Sequence, residues 1–268
     1  MSHIKYLNSY HNHTYRCKHA VGEDEDYVVN ALNAGIKEYG FSDHLMIPNY
    51  YFTWRGDYDV LPDYIRSVRN LKEKYKDKIN IVLGFETEYV KELLPYYERL
   101  FKEEKINYLI MGQHFVFENG EFIFYRNLPI SDKEKARRYV DDVKAGLATG
   151  LFSLLAHPEY FMMYYPEFDD YALELSKEII EAAIKYDVPL ELNLNKVYHA
   201  RNRGDSDKNL PYPHPKFWEL VGKMGAKTYI GIDAHNPKMY QNLPLDFAED
   251  YIKRYNLNVI DKIELRNI

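Results

Sequence analysis

Short apolar runs that stop on histidine, aspartate or glutamate recur along this chain, and they constrain its fold more than any other feature. Seven stand out: "KYLNSYHNH" (5–13), "EYGFSDH" (38–44), "NIVLGFETE" (80–88), "YLIMGQHF" (108–115), "LFSLLAHP" (151–158), "PLELNLN" (189–195) and "KTYIGIDAH" (227–235). Each is short, and most hold a continuous apolar stretch, as expected for a parallel strand buried on both faces. Between them lie longer segments with helical character. Residues 23–36 open with four acids, Glu23 to Asp26, which favour a helix N-terminus. Residues 59–76 carry Leu61, Ile65, Val68 and Leu71 at helical spacing. Residues 132–148 follow Ser131, a good cap, and residues 170–186 place Ala172, Leu175, Ile179 and Ala182/Ala183 on one face. Segments 91–104, 214–224 and 243–255 complete the alternation.

Repeated βα units predict an α/β fold with a closed or nearly closed parallel barrel. A doubly wound open sheet is the alternative. The barrel is favoured because six of the seven runs end in a polar, metal-binding type of residue. In a barrel those ends converge on one mouth, whereas an open sheet spreads them along an edge. No Pro/Gly/Ser linker divides the 268 residues, so residues 1–268 read as a single domain.

Composition narrows the partners. The net charge is −6 with no basic run, which disfavours a nucleic-acid partner. A phosphate substrate stays open, because bound cations can reverse a local field. Cys17 is the sole cysteine, so no intrachain disulfide can form. The N-terminus lacks an apolar signal core, and no run is long enough to span a membrane. The expectation is a soluble cytoplasmic protein with no membrane partner. Oligomeric state is not legible.

The strand-end residues form a set. They are His11 and His13; Asp43 and His44; Glu86 and Glu88; His114; His157; Asp233 and His235. Scattered at random, the chain's histidines would place about one at such strand ends, yet His11, His13, His44, His114, His157 and His235 all fall there. Alternation along a strand points His11 and His13 to one side, and likewise Asp233 and His235. Imidazole and carboxylate donors suit zinc, manganese or iron. The set exceeds the needs of one ion, and a carboxylate such as Glu86 can bridge two. Such a site can lower the pKa of a bound water and clamp a phosphoryl group. Taken singly, each residue has an ordinary reading. His44 or His157 alone would pass for a core histidine, Asp43 for a partner that orients His44, Glu88 for a solvated acid, and Cys17 for a small buried residue.

In this order, the pieces resemble the PHP (polymerase and histidinol phosphatase) family over nearly the whole chain. "HNH", "SDH", "GFETE" with "GQHF", "AHP" and "DAH" are similar to its successive motifs, and "CKHA" (17–20) resembles the histidinol-phosphatase branch. The resemblance implies a distorted (β/α)7 barrel with three divalent ions (zinc, manganese or iron) at the C-terminal mouth of the strands. It implies that His11, His13, Glu86 and Asp233 hold one ion, and that His19, His44 and His235 hold a second. Glu86, His114 and His157 would hold the third, with Glu86 bridging. The implied reaction is hydrolysis of a small phosphomonoester, L-histidinol phosphate to L-histidinol and phosphate, in histidine biosynthesis. Glu86, Asp233 and His235 are then the catalytic candidates, the last two for proton transfer.

Arg201 and Arg203, in "YHARNRGDSDKNLPYPHP" (198–215), are candidates to bind the phosphate, since guanidinium matches its oxygens. One departure stands out. Histidinol phosphatases usually carry a basic residue a few positions after the strand-five histidine, but "AHPEYFMMYYPEFDD" (156–170) has no Lys or Arg. Arg55, Arg126 and Lys196 are the cations that could stand in. Two other readings follow: a phosphoesterase of the same fold acting on another small ester or a nucleotide, and a metal-binding module without activity.

Overall fold

The computed structural model describes residues 5–208 and 210–266. Its strands, in chain order, are β1 (Asn8–Ser9), β2 (Glu38–Phe41), β3 (Asn80–Thr87), β4 (Tyr108–Met111), β5 (Phe115–Glu118), β6 (Glu121–Phe124), β7 (Leu154–Leu155), β8 (Leu190–Asn193), β9 (Lys227–Gly231) and β10 (Asn258–Val259). The helices are α1 (Asp24–Asn33), α2 (Leu61–Tyr75), α3 (Leu94–Glu103), α4 (Asp132–Leu147), α5 (Asp170–Lys185), α6 (Asn195–Arg203), α7 (Pro215–Met224) and α8 (Leu245–Tyr255). Eight strands form one sheet in the order β1-β2-β3-β4-β7-β8-β9-β10, and every neighbouring pair is parallel. A helix crosses over between each consecutive pair, as parallel pairing requires.

The sheet curls into a distorted barrel. Beyond β9, Ala234 bridges to Asn12 beyond β1, with the His13 amide donating to the Ala234 carbonyl at 2.9 Å. At the opposite end β10 pairs with β9, and Asn8 Nδ2 donates to the Asp261 carbonyl at 2.9 Å. The last strand thus wedges the base open while the mouth closes. This eighth strand was not expected, because a two-residue strand carries no periodicity to read.

Period-two alternation sorts the side chains. Tyr39, Phe41, Ile81, Leu83, Phe85, Leu109, Met111, Leu190, Leu192 and Ile230 face the helices and build the main core. Each such burial contributes about 1.5–3 kcal/mol. In α2 the same layer is met by Leu61, Ile65, Val68 and Leu71, the residues whose spacing predicted the helix. Tyr10, Val82, Tyr108, Ile110, Leu154, Ala156 and Tyr229 form a second cluster that fills the barrel below its mouth. Buried tyrosine needs a partner for its hydroxyl. Tyr108 donates to the Tyr10 carbonyl at 2.7 Å and Tyr229 to the Asn8 carbonyl at 2.9 Å.

Two elements differ from the sequence reading. The run 108–115 is not one strand: β4 ends at Met111, and Phe115 opens an antiparallel hairpin, β5–β6. Asn119 and Gly120 both have positive φ at its turn, the conformation an Asn-Gly hairpin turn needs. That dipeptide was a legible signal between the aromatic runs. The second element is α6, a helix not expected from the sequence, which carries Arg201 and Arg203 and stops at Gly204 in the left-handed conformation. Ser131 does cap α4, in a reciprocal box with Glu134. No helix among the described residues is long and apolar enough to cross a membrane.

Candidate metal centre

Two isolated bridges bring the strand-end donors into register. His44 pairs with Glu86, and Asn12 with Ala234, which lays His11 and His13 alongside Asp233 and His235. His13 Nε2 stands 3.1 Å from Asp233 Oδ1, and the His13 and His235 rings stack at 4.1 Å. His157 and Asp233 both adopt positive φ, 30° and 51°. Strain of this kind costs about 1–3 kcal/mol per residue and persists where the surroundings impose it.

Glu86 divides the set. Its Oε2 lies 3.1 Å from His44 Nδ1, 3.3 Å from His13 Nε2 and 3.4 Å from His11 Nε2. Its Oε1 lies 3.3 Å from His157 Nε2 and 3.7 Å from His114 Nε2. Space for this carboxylate comes from Gly112, where a Cβ would overlap Glu86 Oε1. Burial alone would raise Glu86, but His11, His44 and His114 outweigh it and hold the carboxyl well below its usual range. Asp233 is held down against burial in the same way by His11 and His235. Both are ionised acceptors.

The ring tautomers follow from the partners. His19 Nδ1 lies 2.8 Å from the Cys17 carbonyl, and His235 Nδ1 lies 3.0 Å from the Asp233 carbonyl. A carbonyl only accepts, so each Nδ1 carries the proton and each Nε2 is a bare lone pair. Those two Nε2 atoms face each other at 2.9 Å. Two lone pairs at that distance repel unless a cation lies against both. His11 Nδ1 is held by Glu191 Oε1 at 2.8 Å, and His114 Nδ1 by Glu88 Oε1 at 3.0 Å, which again leaves Nε2 facing the centre. Histidines that ligate metals are oriented in this way by carboxylates and carbonyls. Ligand atoms of His11, His13 and Asp233 lie within 4.8 Å of one another, as do those of His13, His44 and His235, and of His44, Glu86 and His114. His11 Nε2, both His13 nitrogens and His44 Nδ1 are buried yet make no hydrogen bond. The donor set therefore fits divalent cations.

Burial, then His13, pushes His235 down to about 3, and burial likewise lowers His19 and His44. All three are neutral imidazoles, the form that binds metal. His11 and His13 rise instead, because the carboxylates around them overcome burial. Burial pushes the Cys17 thiol up to about 12, which makes it a protonated, packed side chain.

Sequence reasoning missed Glu191. It lies inside the barrel on β8, and besides His11 it accepts from the His157 amide at 3.1 Å and Asn193 Nδ2 at 2.8 Å. An acid within the apolar run "PLELNLN" was its signal. Glu88 is not a solvated acid: it is fully buried between His114 and Arg55 Nη2, 2.7 Å away. Arg55 is thereby committed to Glu88 and lies outside the cavity. Asp43 accepts from Thr14 and from the His44 amide, and its Oδ1 is 3.6 Å from His13 Nδ1, so it meets the ring of His13 and only the backbone of His44.

Above the donors lies a cavity of about 710 Å³. Its walls include Trp54, Phe124, Tyr160, Met163 and Tyr212, with Arg126, Asn195, Lys196 and His199. Arg201 and Arg203 are not brought to it. Arg201 is paired with Asp207 and Asp246, and Arg203 with Asp205. The reason is α6, whose inward face carries Asn195, Lys196 and His199 while Arg201 turns away.

Comparison with known proteins follows the same line. Residues 9–195 match the model of the PHP domain family. The chain is 25% identical to a probable histidinol-phosphatase of Deinococcus radiodurans, over 85% of each chain. It is 24% identical to a probable histidinol-phosphatase of Schizosaccharomyces pombe, over 96% of this chain and 89% of that one. A histidinol phosphate phosphatase from Lactococcus lactis, solved with zinc, L-histidinol and phosphate, superposes with a TM-score of 0.71 at 19% identity, covering 96% of this chain and 98% of that one. A family match that spans more than half of the sequence and takes in the donors from His11 to His157 leaves one conclusion: the chain belongs to the PHP domain family.

Proposed function

We propose that this protein is a metal-dependent phosphomonoester hydrolase whose substrate is L-histidinol phosphate, and that His11, His13, His19, His44, Glu86, His114, His157, Asp233 and His235 hold three divalent ions. The observation that carries the reading is the division of donors about Glu86, with one oxygen toward His11, His13 and His44 and the other toward His114 and His157. When bound, the ions would supply a water of lowered pKa and neutralise phosphoryl charge. The chain's own residues do the rest. Glu191, Glu88 and the Cys17 and Asp233 carbonyls fix which nitrogen of each ring faces the ions. Trp54, Phe124 and Tyr160 line the cavity and give it aromatic surface against which a flat leaving group can pack. Relatives named for histidinol phosphate chemistry support this substrate.

A second reading, another small phosphate ester of the same class, rests on one feature of the cavity. Among the described residues, the carboxylates lining it are Glu86 and Asp233 alone, so the substrate's ammonium finds no uncommitted acid among them. Phosphate release from L-histidinol phosphate, by protein loaded with zinc, manganese or iron, decides between them. Efficient release, lost in the His11→Ala/His13→Ala variant, is expected. Comparable turnover of many esters would move the assignment to the second reading. Inertness toward every ester, with three ions bound, would leave a metal-binding module.

A further inference from the structure

The segment after His157 carries no cation, and the arginines of 198–215 are tied up outside the cavity. Yet a phosphate monoester brings about two negative charges to the mouth. The described residues that line the cavity include two extended cations, Arg126 and Lys196. Neither is paired with a carboxylate among the described residues. Lys196 lies over the Tyr212 ring at 5.6 Å, and the Arg126 guanidinium lies over Phe124 at 5.1 Å. By contrast Arg16, Arg55, Arg137 and Arg138 are each ion-paired.

Arg126 is exposed at its tip, but its backbone is not loosely placed. It sits in a tight turn, Tyr125–Asn127, directly after β6. Tyr125 is buried, donates to Asp142 Oδ2 at 2.7 Å and accepts from Gln113 Nε2 at 3.0 Å. Gln113 immediately precedes His114, so the turn that carries Arg126 is bolted to the segment that carries a metal-ligand candidate. The hairpin itself is braced by Trp54, whose ring lies 4.8 Å from Phe124 and 5.2 Å from Phe115.

Building on the phosphohydrolase reading above, we propose that Arg126 is the guanidinium that grips the substrate phosphate in this chain, so that the β5–β6 hairpin does the work its strand-five segment lacks the charge to do. A planar fork can donate two hydrogen bonds to phosphate oxygens, which the point charge of Lys196 cannot match. The hairpin is then a recognition element and not a decorative insertion.

The test is calorimetric binding of inorganic phosphate to the zinc-loaded protein, with metal content measured for every variant. Arg126→Gln is expected to weaken binding about 10- to 100-fold at unchanged metal content, and Arg126→Lys to fall between. Placing a cation elsewhere on the cavity lining, as Arg126→Gln with Met163→Arg, is expected to recover part of the loss. Phosphate binding unaffected by Arg126→Gln, or weakened equally by Arg201→Gln, would overturn the proposal. The two readings fail separately. Arg126-dependent phosphate binding without hydrolysis of any ester sinks the enzyme reading alone, whereas hydrolysis with Arg126-independent binding sinks this one.

Discussion

His19 Nε2 and His235 Nε2 face each other at 2.9 Å, while each ring's Nδ1 is held by a backbone carbonyl. The residues are far apart in sequence and come from the segments that follow β1 and β9. With both rings neutral, a cation shared by the two Nε2 atoms relieves the repulsion between their lone pairs. Replacing either with alanine is therefore expected to remove one ion and leave the others. Elemental analysis checks this: a drop of one ion per chain is expected, and full occupancy in both variants would exclude the pair as ligands. Saturating metal at about a thousand times its Kd adds about 4 kcal/mol to stability. A rise in Tm on metal addition, smaller in the variants, should accompany the change.

Glu191 is expected to act on metal affinity through His11. In Glu191→Gln the shape is kept but the charge behind His11 Nδ1 is lost. Loss of such an orienting partner costs about 10- to 100-fold in affinity or activity. Competition against a chelator of known strength measures it. Unchanged affinity would show that Glu191 only fills space.

Gly112→Ala tests the barrel's inner geometry. The new Cβ would overlap Glu86 Oε1, so the carboxylate has to shift from its place between the two groups of histidines. Overpacking of this kind costs about 1–3 kcal/mol. Urea denaturation should show that loss, together with reduced metal content because Glu86 is displaced. Normal metal content would mean that Glu86 does not bridge.

Glu178 governs an acid limb of stability away from the site. Arg137 and then Lys144 lower its carboxyl to about 2, across the α4–α5 contact. Its folded pKa lies below its unfolded value, so its contribution is present above the ordinary carboxylate range and is lost as pH falls toward 2. The pair is only partly buried and open to solvent on one side, so screening limits it to about 1 kcal/mol. Glu178→Gln should lower stability at pH 7 by about that amount and not at pH 2. Equal losses at both values would point to packing instead.

Much was legible because the chemistry is written at strand ends. A short apolar run buried on both faces has to stop where the barrel opens, and the next polar residue falls at the mouth. That is why His11, His13, His44, Glu86, His114, His157, Asp233 and His235 could be collected before any coordinates, along with seven of the helices, their ends to within a few residues. The hairpin was also legible, through Asn119-Gly120, though it was read as the tail of a strand.

Three things were decided only by tertiary structure. Whether Glu86 or Glu88 takes the centre depends on where β3 meets β4, since alternation puts both on one side; contact with Arg55 settles Glu88 as the partner of His114. Glu191 becomes part of the site only because β8 lies beside His11 and His157 in space. The fate of the arginines turns on α6: one helical rotation sends Lys196 inward and Arg201 out to Asp207 and Asp246. Local pattern determines which residues a strand delivers to the mouth, because period and burial are local. Which of them touch is set by closure of the sheet, a long-range condition that no short stretch of sequence contains.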